Sequence, residues 1–117
     1  MRRSMLVSLV LIGFASVGGA HAAAPYINCP AASALDERTI CRTIRLVQLD
    51  AEMATLYRLT LSLVGMGTRD SIKDEQADWL RARRACRTSV PCLRNHYEDR
   101  IETLDAILDR VRSEGPF

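Results

Sequence analysis

The chain has 117 residues, with 16 basic and 14 acidic side chains and a formal net charge of +2. Arg2 and Arg3 lie in a segment that we expect to be removed, and without them the basic and acidic counts are equal. A near-neutral domain of about 95 residues argues against nucleic-acid binding as its main task, because phosphate contacts need a basic surface.

The N-terminus has the features of a cleavable export signal. Arg2 and Arg3 precede an apolar run over residues 5–17, and Ala20-His21-Ala22 supplies an A-x-A cleavage site. We therefore predict a signal peptide over residues 1–22 and a single domain over residues 23–117. The apolar run is too short for a good membrane span and nothing later replaces it, so we expect a periplasmic or secreted protein without a membrane anchor.

Four cysteines occur as two close pairs, with a long cysteine-free stretch between the pairs. An even count in a small exported chain indicates a disulfide framework, because the thiols meet an oxidising compartment. Four cysteines allow three pairings. We favour the local ones, Cys29 with Cys41 and Cys86 with Cys92, since each closes a short loop beside a helix end.

Two helices are predicted in the first half of the domain. Ser33 followed by Asp36 resembles a capping box and predicts a short helix through Cys41. A longer helix is predicted over residues 43–64, with a stop at residues 65–67. Its apolar residues recur at three- and four-residue steps, and Leu59 and Leu61 widen that arc. Such a helix is either central or partly covered by a partner, and we favour the central position.

Two further helices complete the predicted domain. The third runs from about Asp70 to Cys86 and carries Gln76 and Arg83 within its apolar stripe. A partly buried guanidinium needs a partner, for which the candidate is Asp50 of the second helix. The fourth begins at Pro91, has an apolar face from Leu93 to Val111 and ends at Gly115-Pro116. The predicted fold is a small, disulfide-stapled, all-α bundle of three main helices and a short N-terminal one.

One ordered set of residues spans nearly the whole mature chain: Cys29, Ser33, Glu37, Ile40, Cys41, Leu49, Asp50, Tyr57, Gln76, Trp79, Leu80, Arg83, Cys86, Cys92, Leu93, Tyr97, Arg100 and Ile101. This set resembles the LprI-type domain family of exported, four-cysteine, all-α bacterial domains, whose name comes from a lipoprotein that inhibits lysozyme. The resemblance implies a helical fold, export, disulfides and lysozyme inhibition. We expect a member without the lipoprotein cysteine and without a C-terminal extension, and no inhibitory motif can be transferred residue by residue.

Residue patterns typical of enzymes are missing from the mature sequence. His96 is its single histidine, and it lies on a helix away from any plausible nucleophile. The cysteines have neither the C-x-x-C spacing of oxidoreductases nor zinc-finger spacing. No phosphate-binding glycine loop or nucleophile elbow occurs. We therefore expect no enzymatic activity, no catalytic residue, no cofactor and no metal.

An acidic stripe is predicted on the fourth helix. Glu98, Glu102, Asp105 and Asp109 are spaced four, three and four residues apart, which places them on one narrow face. A stripe of this kind can steer a cationic protein such as an animal-type lysozyme by long-range attraction. The turn over residues 87–90 is the predicted rigid loop for blocking a cleft, with Arg87 facing a cleft carboxylate.

Three functional interpretations remain open at this point. We favour an exported protein that binds another protein, with inhibition of lysozyme-like cell-wall hydrolases as the favoured activity. The first alternative is an envelope immunity or binding protein that neutralises some other secreted toxin. The second is a structural or stress-related envelope module that works through oligomerisation, which the broad apolar arc of the second helix would serve.

Overall fold

A computed structural model describes residues 26–115, which form four α-helices after a single 3-10 turn at Cys29–Ala31. Within this range there is no strand, so the predicted all-α bundle is confirmed. The predicted signal peptide lies outside the described residues. The helices are α1 (Leu35–Arg42), α2 (Ile44–Leu63), α3 (Met66–Ala85) and α4 (Val90–Ser113).

The core lies between α2 and α4, which share a more extensive contact than any other pair of helices among residues 26–115. The helix α1 packs against the other three α-helices and covers one end of this pair. Each large apolar side chain removed from water contributes about 1.5–3 kcal/mol before conformational entropy is subtracted. The largest apolar side chains of this core are almost completely buried: Ile40, Leu46, Leu49, Met53, Leu93, Tyr97, Leu104 and Leu108.

Two disulfides join neighbouring elements, in the local pairing expected from the sequence. Cys29–Cys41 ties the N-terminal 3-10 turn to α1, with 5.7 Å between the two Cα atoms. Cys86–Cys92 joins the end of α3 to the first turn of α4, with a Cα–Cα distance of 5.5 Å. The two bonds indicate folding in an oxidising compartment.

The N-terminus of α1 differs from the predicted capping box. Its N-cap residue is Ala34, and the carboxylate that accepts from the preceding backbone belongs to Glu37 rather than to Asp36. Glu37 Oε2 accepts from the N–H of Ser33 at 3.3 Å and from the N–H of Ala34 at 3.4 Å. Asp36 takes no part in this cap. Its side chain is buried and only 1 % exposed.

The corner between α2 and α3 is tighter than the sequence suggested. The helix α3 begins at Met66, directly after the N-cap Gly65, four residues before the predicted start. Arg69 stabilises this corner because its guanidinium donates to the carbonyls of Leu61 at 2.9 Å and Val64 at 3.4 Å. Those carbonyls lie at the end of α2, where no helical N–H follows to satisfy them.

The two ends of α4 follow local signals in the sequence. Ser89 is the N-cap residue, and its hydroxyl accepts from the N–H of Cys92 at 3.3 Å. The helix ends at Ser113 and is followed by Gly115 at a φ of +143°, a conformation that glycine adopts most readily.

Candidate partner-binding surface

A buried polar network joins α1, α2, α3 and α4 beneath the surface, and it corrects the predicted pairing of Arg83. Arg83 Nε donates to Asp36 Oδ2 at 2.9 Å, so its ionic partner is on α1 rather than Asp50 of α2. Asp50 belongs to the same network through Tyr97, whose hydroxyl donates to Asp50 Oδ1 at 2.8 Å. The other oxygen of Asp50 accepts from the N–H of Ile27 at 3.1 Å.

Tyr97 connects the two carboxylates of this network. Its hydroxyl lies 3.5 Å from Arg83 Nη1, which donates to it. Burial, reinforced by the adjacent charge of Asp50, holds the pKa of Tyr97 well above its ordinary value. The phenol therefore stays protonated and acts as a fixed donor. All four side chains of the network are buried, and the network supports the geometry of the helices.

A second buried arginine, Arg100 on α4, is the hydrogen-bond partner of Gln76, the amide predicted within the apolar stripe of α3. Arg100 Nε donates to Gln76 Oε1 at 2.9 Å, and Nη2 donates to the carbonyl of Ile72 at 3.4 Å. The amide of Gln76 in turn donates to the sulfur of Met53 at 3.3 Å. Among the described residues no buried side-chain nitrogen or oxygen is left without a partner.

His96 is half-buried rather than on the open surface. Its ring stacks on Trp79 with 5.2 Å between centroids, and its Nε2 lies 3.1 Å from the carbonyl oxygen of Trp79. The indole N–H of Trp79 donates to the carbonyl of His96 at 3.0 Å. This reciprocal arrangement locks α3 against α4 and gives His96 a packing role.

The predicted acidic stripe forms one wall of a groove between α2 and α4. Glu98, Glu102 and Asp105 are exposed on α4, and they face Glu52 of α2 across a groove of about 310 Å³. Leu49 and Ile101 provide its apolar floor, and Arg45 supplies its one cation. We call this the acidic groove, with lining residues Arg45, Leu49, Glu52, Glu98, Ile101, Glu102 and Asp105.

The four carboxylates of the acidic groove have no direct partner among the described residues. Within residues 26–115, Glu52, Glu98, Glu102 and Asp105 make no side-chain hydrogen bond or ion pair. The fourth predicted member of the stripe behaves differently, because Asp109 Oδ1 accepts from Arg112 at 2.8 Å. The groove therefore uses three of the four predicted carboxylates and adds one from α2.

A separate groove lies on the other side of Glu102, between α3 and α4. Its volume is about 550 Å³, and its charged lining residues are Glu75, Asp99, Glu102 and Arg110. Glu75 is also within 3.4 Å of the buried Arg100 and is partly neutralised by it. Glu102 thus lines both grooves and lies between them on α4.

The predicted Arg87 lies apart from the acidic groove, in the turn that connects α3 to α4. It is exposed and has a φ of +52°, the one positive φ at a non-glycine residue among residues 26–115. The Cys86–Cys92 disulfide closes this turn across six residues of sequence. We call residues 86–92 the disulfide-closed turn.

Sequence reasoning missed Arg45, Glu52, Leu49 and Ile101 as parts of one surface. The amphipathic pattern predicts which side of each helix is apolar, but it does not predict which helices are neighbours. The packing of α2 against α4 decides which faces form one groove. Glu52 lies one residue before the buried Met53 on α2. Only the packing of α2 against α4 brings it opposite the acidic residues of α4.

Within residues 26–115, no three His, Cys, Asp or Glu side chains are placed to hold a metal ion. None of the helices in that range is long and apolar enough to cross a membrane.

Three comparisons with known proteins were negative: no family model, no curated protein and no solved structure matches this chain.

Proposed function

We propose that the protein is an exported, periplasmic or secreted binding protein that inhibits lysozyme-like cell-wall hydrolases. The proposal joins the resemblance of its residue pattern to the LprI-type domain family with a surface suited to a cationic partner. The locked stacking of His96 on Trp79 and the completely paired buried network support a non-enzymatic role.

The observation that carries the proposal is the acidic groove. Four unpaired carboxylates and one guanidinium lie around an apolar floor. Carboxylates held in one groove repel one another, and a cationic partner relieves that repulsion on binding. Complementary charge raises association rates by about 10- to 1,000-fold at low ionic strength, and the effect falls as salt screens the field. Leu49 and Ile101 then supply apolar contact at the centre of the same surface.

Charge reversal of the groove tests this proposal. Glu102→Lys combined with Asp105→Lys should lower the association rate for an animal-type lysozyme by about tenfold at low salt. The difference should shrink as ionic strength rises, because the screening length is about 8 Å at 0.15 M salt. Surface plasmon resonance at several salt concentrations measures both effects.

A matched control applies the same charge change elsewhere. Asp70 and Asp74 are exposed on α3, four residues apart and outside the acidic groove. Asp70→Lys combined with Asp74→Lys should leave association within about twofold of wild type once long-range charge is screened. Equal losses in the two double variants would contradict a specific role for the groove and reduce the effect to net charge.

The second candidate function, an oligomeric envelope module, is favoured by an exposed apolar patch where α2 meets α3. Leu59 and Leu63 share one face of α2 and are 43 % and 39 % exposed, and Met66 is 78 % exposed. Light scattering coupled to size-exclusion chromatography tests this alternative. A dimer that becomes a monomer in Leu63→Lys would support the module, whereas a wild-type monomer at micromolar concentration would contradict it.

A further inference from the structure

The disulfide-closed turn has two features that are unfavourable for stability, a left-handed backbone conformation at a non-glycine residue and uncompensated positive charge. The first is the backbone of Arg87, whose φ of +52° lies in the left-handed region. This residue follows Cys86, the C-terminal cap of α3, and occupies the position where helices commonly place glycine or asparagine. A side chain with a Cβ is less stable there than glycine, because its Cβ approaches the following carbonyl oxygen.

The second unfavourable feature is uncompensated positive charge. No acidic residue occurs in the sequence between Asp78 and Glu98. Arg84, Arg87 and Arg94 are all exposed, and each lies within two residues of a cysteine of the Cys86–Cys92 bond. Within residues 26–115 the guanidinium groups of these three arginines make no hydrogen bond or ion pair. The bond thus gathers three unpaired cations at one end of the bundle.

The C-terminal dipole of α3 explains Arg84 but does not explain Arg87. A cation in the last turn of a helix is stabilised by the helix dipole, and Arg84 occupies that turn. Arg87 is past the helix end, where glycine would relieve the backbone without loss of a described contact. A strained residue with a charge that is unpaired among residues 26–115 is a candidate for contact with a group outside this chain.

We propose that Arg87 is the anchor residue with which this protein engages a carboxylate in the substrate cleft of its hydrolase partner. A planar guanidinium binds a carboxylate through two parallel hydrogen bonds, and glycosidases of this class place a pair of carboxylates in the cleft. The disulfide keeps the turn rigid, so little conformational entropy is lost when Arg87 is buried. This inference rests on the proposed function and specifies how that function blocks the enzyme.

One partner can cover both the disulfide-closed turn and the acidic groove. Cys92 and Asp105 are both on α4, so they are separated by about 20 Å along the helix axis. A standard interface buries about 800 Å² on each partner, which corresponds to a patch roughly 30 Å across. In this arrangement the groove attracts the cationic surface of the enzyme and Arg87 enters its cleft.

The test is one substitution that should raise stability and weaken binding, compared with a control variant. Arg87→Gly should raise the melting temperature by a few degrees, because glycine accepts the left-handed backbone. The same variant should weaken inhibition of an animal-type lysozyme by at least about tenfold, because a buried charge pair is lost. Lys73→Gln is the matched control, since it removes an equal charge from an exposed residue of α3 that has no ion pair among residues 26–115 and lies 13 residues before Cys86, so it should leave inhibition unchanged.

A double-mutant cycle identifies the group that Arg87 contacts. A lysozyme in which one cleft carboxylate is replaced by an amide should bind the wild-type protein and Arg87→Gly with equal affinity. If Arg87→Gly inhibits as strongly as wild type, the anchor role is overturned while the proposed function stands. If wild type binds no hydrolase in the panel, the proposed function and the anchor role fall together.

Discussion

Removal of the Tyr97 hydroxyl should destabilise the protein far more than the loss of one oxygen atom suggests. Tyr97 is 0 % exposed, and its hydroxyl donates to the buried carboxylate of Asp50 at 2.8 Å. In Tyr97→Phe, Asp50 keeps the donor from Ile27 at 3.1 Å but loses the second one. A hydrogen bond to a charged group contributes about 1.5–3 kcal/mol, and the longer contact to Arg83 adds little. We expect a loss of about 2 kcal/mol.

Urea denaturation of the oxidised protein, followed by far-ultraviolet circular dichroism, measures this loss directly. The corresponding fall in melting temperature is about 8–16 °C for a domain of this size. Tyr57→Phe is the control, because Tyr57 is half-buried and its hydroxyl makes no hydrogen bond among the described residues. The reasoning would be refuted if both phenylalanine variants lost the same stability.

Alkaline pH tests the same hydroxyl independently. The pKa of Tyr97 is higher in the folded state than in the unfolded state, so folding favours the protonated phenol. This contribution is fully present below pH about 10 and is lost as the pH rises above it, at up to about 1.4 kcal/mol per pH unit. Tyr97→Phe should therefore lose less stability than wild type between pH 10 and pH 12 in buffered urea titrations.

The remaining predictions concern the other contacts that fix the helices. Arg83→Met should cost about 3–5 kcal/mol in chemical denaturation because it leaves Asp36 buried without its ion pair. Loss of Cys29–Cys41 by paired serine substitution should cost about 2.8 kcal/mol, against about 2.2 kcal/mol for Cys86–Cys92, since the first bond closes the longer loop. The reverse order in thermal unfolding would contradict this loop-entropy account. Arg69→Ala should lower stability by about 1 kcal/mol through loss of its hydrogen bonds to the end of α2, and an unchanged urea midpoint would argue against that capping role.

The helical architecture was predictable because it depends on local signals. Apolar periodicity, the proline at residue 91 and the glycines near residues 65 and 115 marked the helices to within a few residues, and the short cysteine spacings favoured the observed pairing. The start of α3 was placed four residues late because Gly67 in its first turn resembled a continued loop. A glycine is tolerated in a first helical turn, so it does not by itself exclude a helix.

The partners of buried charges were not predictable from the sequence. Arg83 was correctly placed on the apolar face of α3, but Asp50 was the wrong partner, because the sequence alone does not show which element packs against Arg83. The packing of α1 against α3 decided for Asp36. The partner of Arg100 was likewise not predictable from the sequence. Arg100 lies on α4 and donates to Gln76 of α3, so the pair forms only when these two helices pack together. The acidic groove also required α2 and α4 to be brought together before Glu52 could join the stripe.

A titration of the oxidised mature protein against an animal-type lysozyme tests the central claim most directly, with direct binding and cell-wall lysis followed together at increasing salt. The account predicts saturable inhibition with submicromolar affinity, weakening steadily with ionic strength and lost on reduction of the disulfides. Absence of both binding and inhibition across a panel of lysozyme types, for protein shown to be folded and fully oxidised, would contradict it.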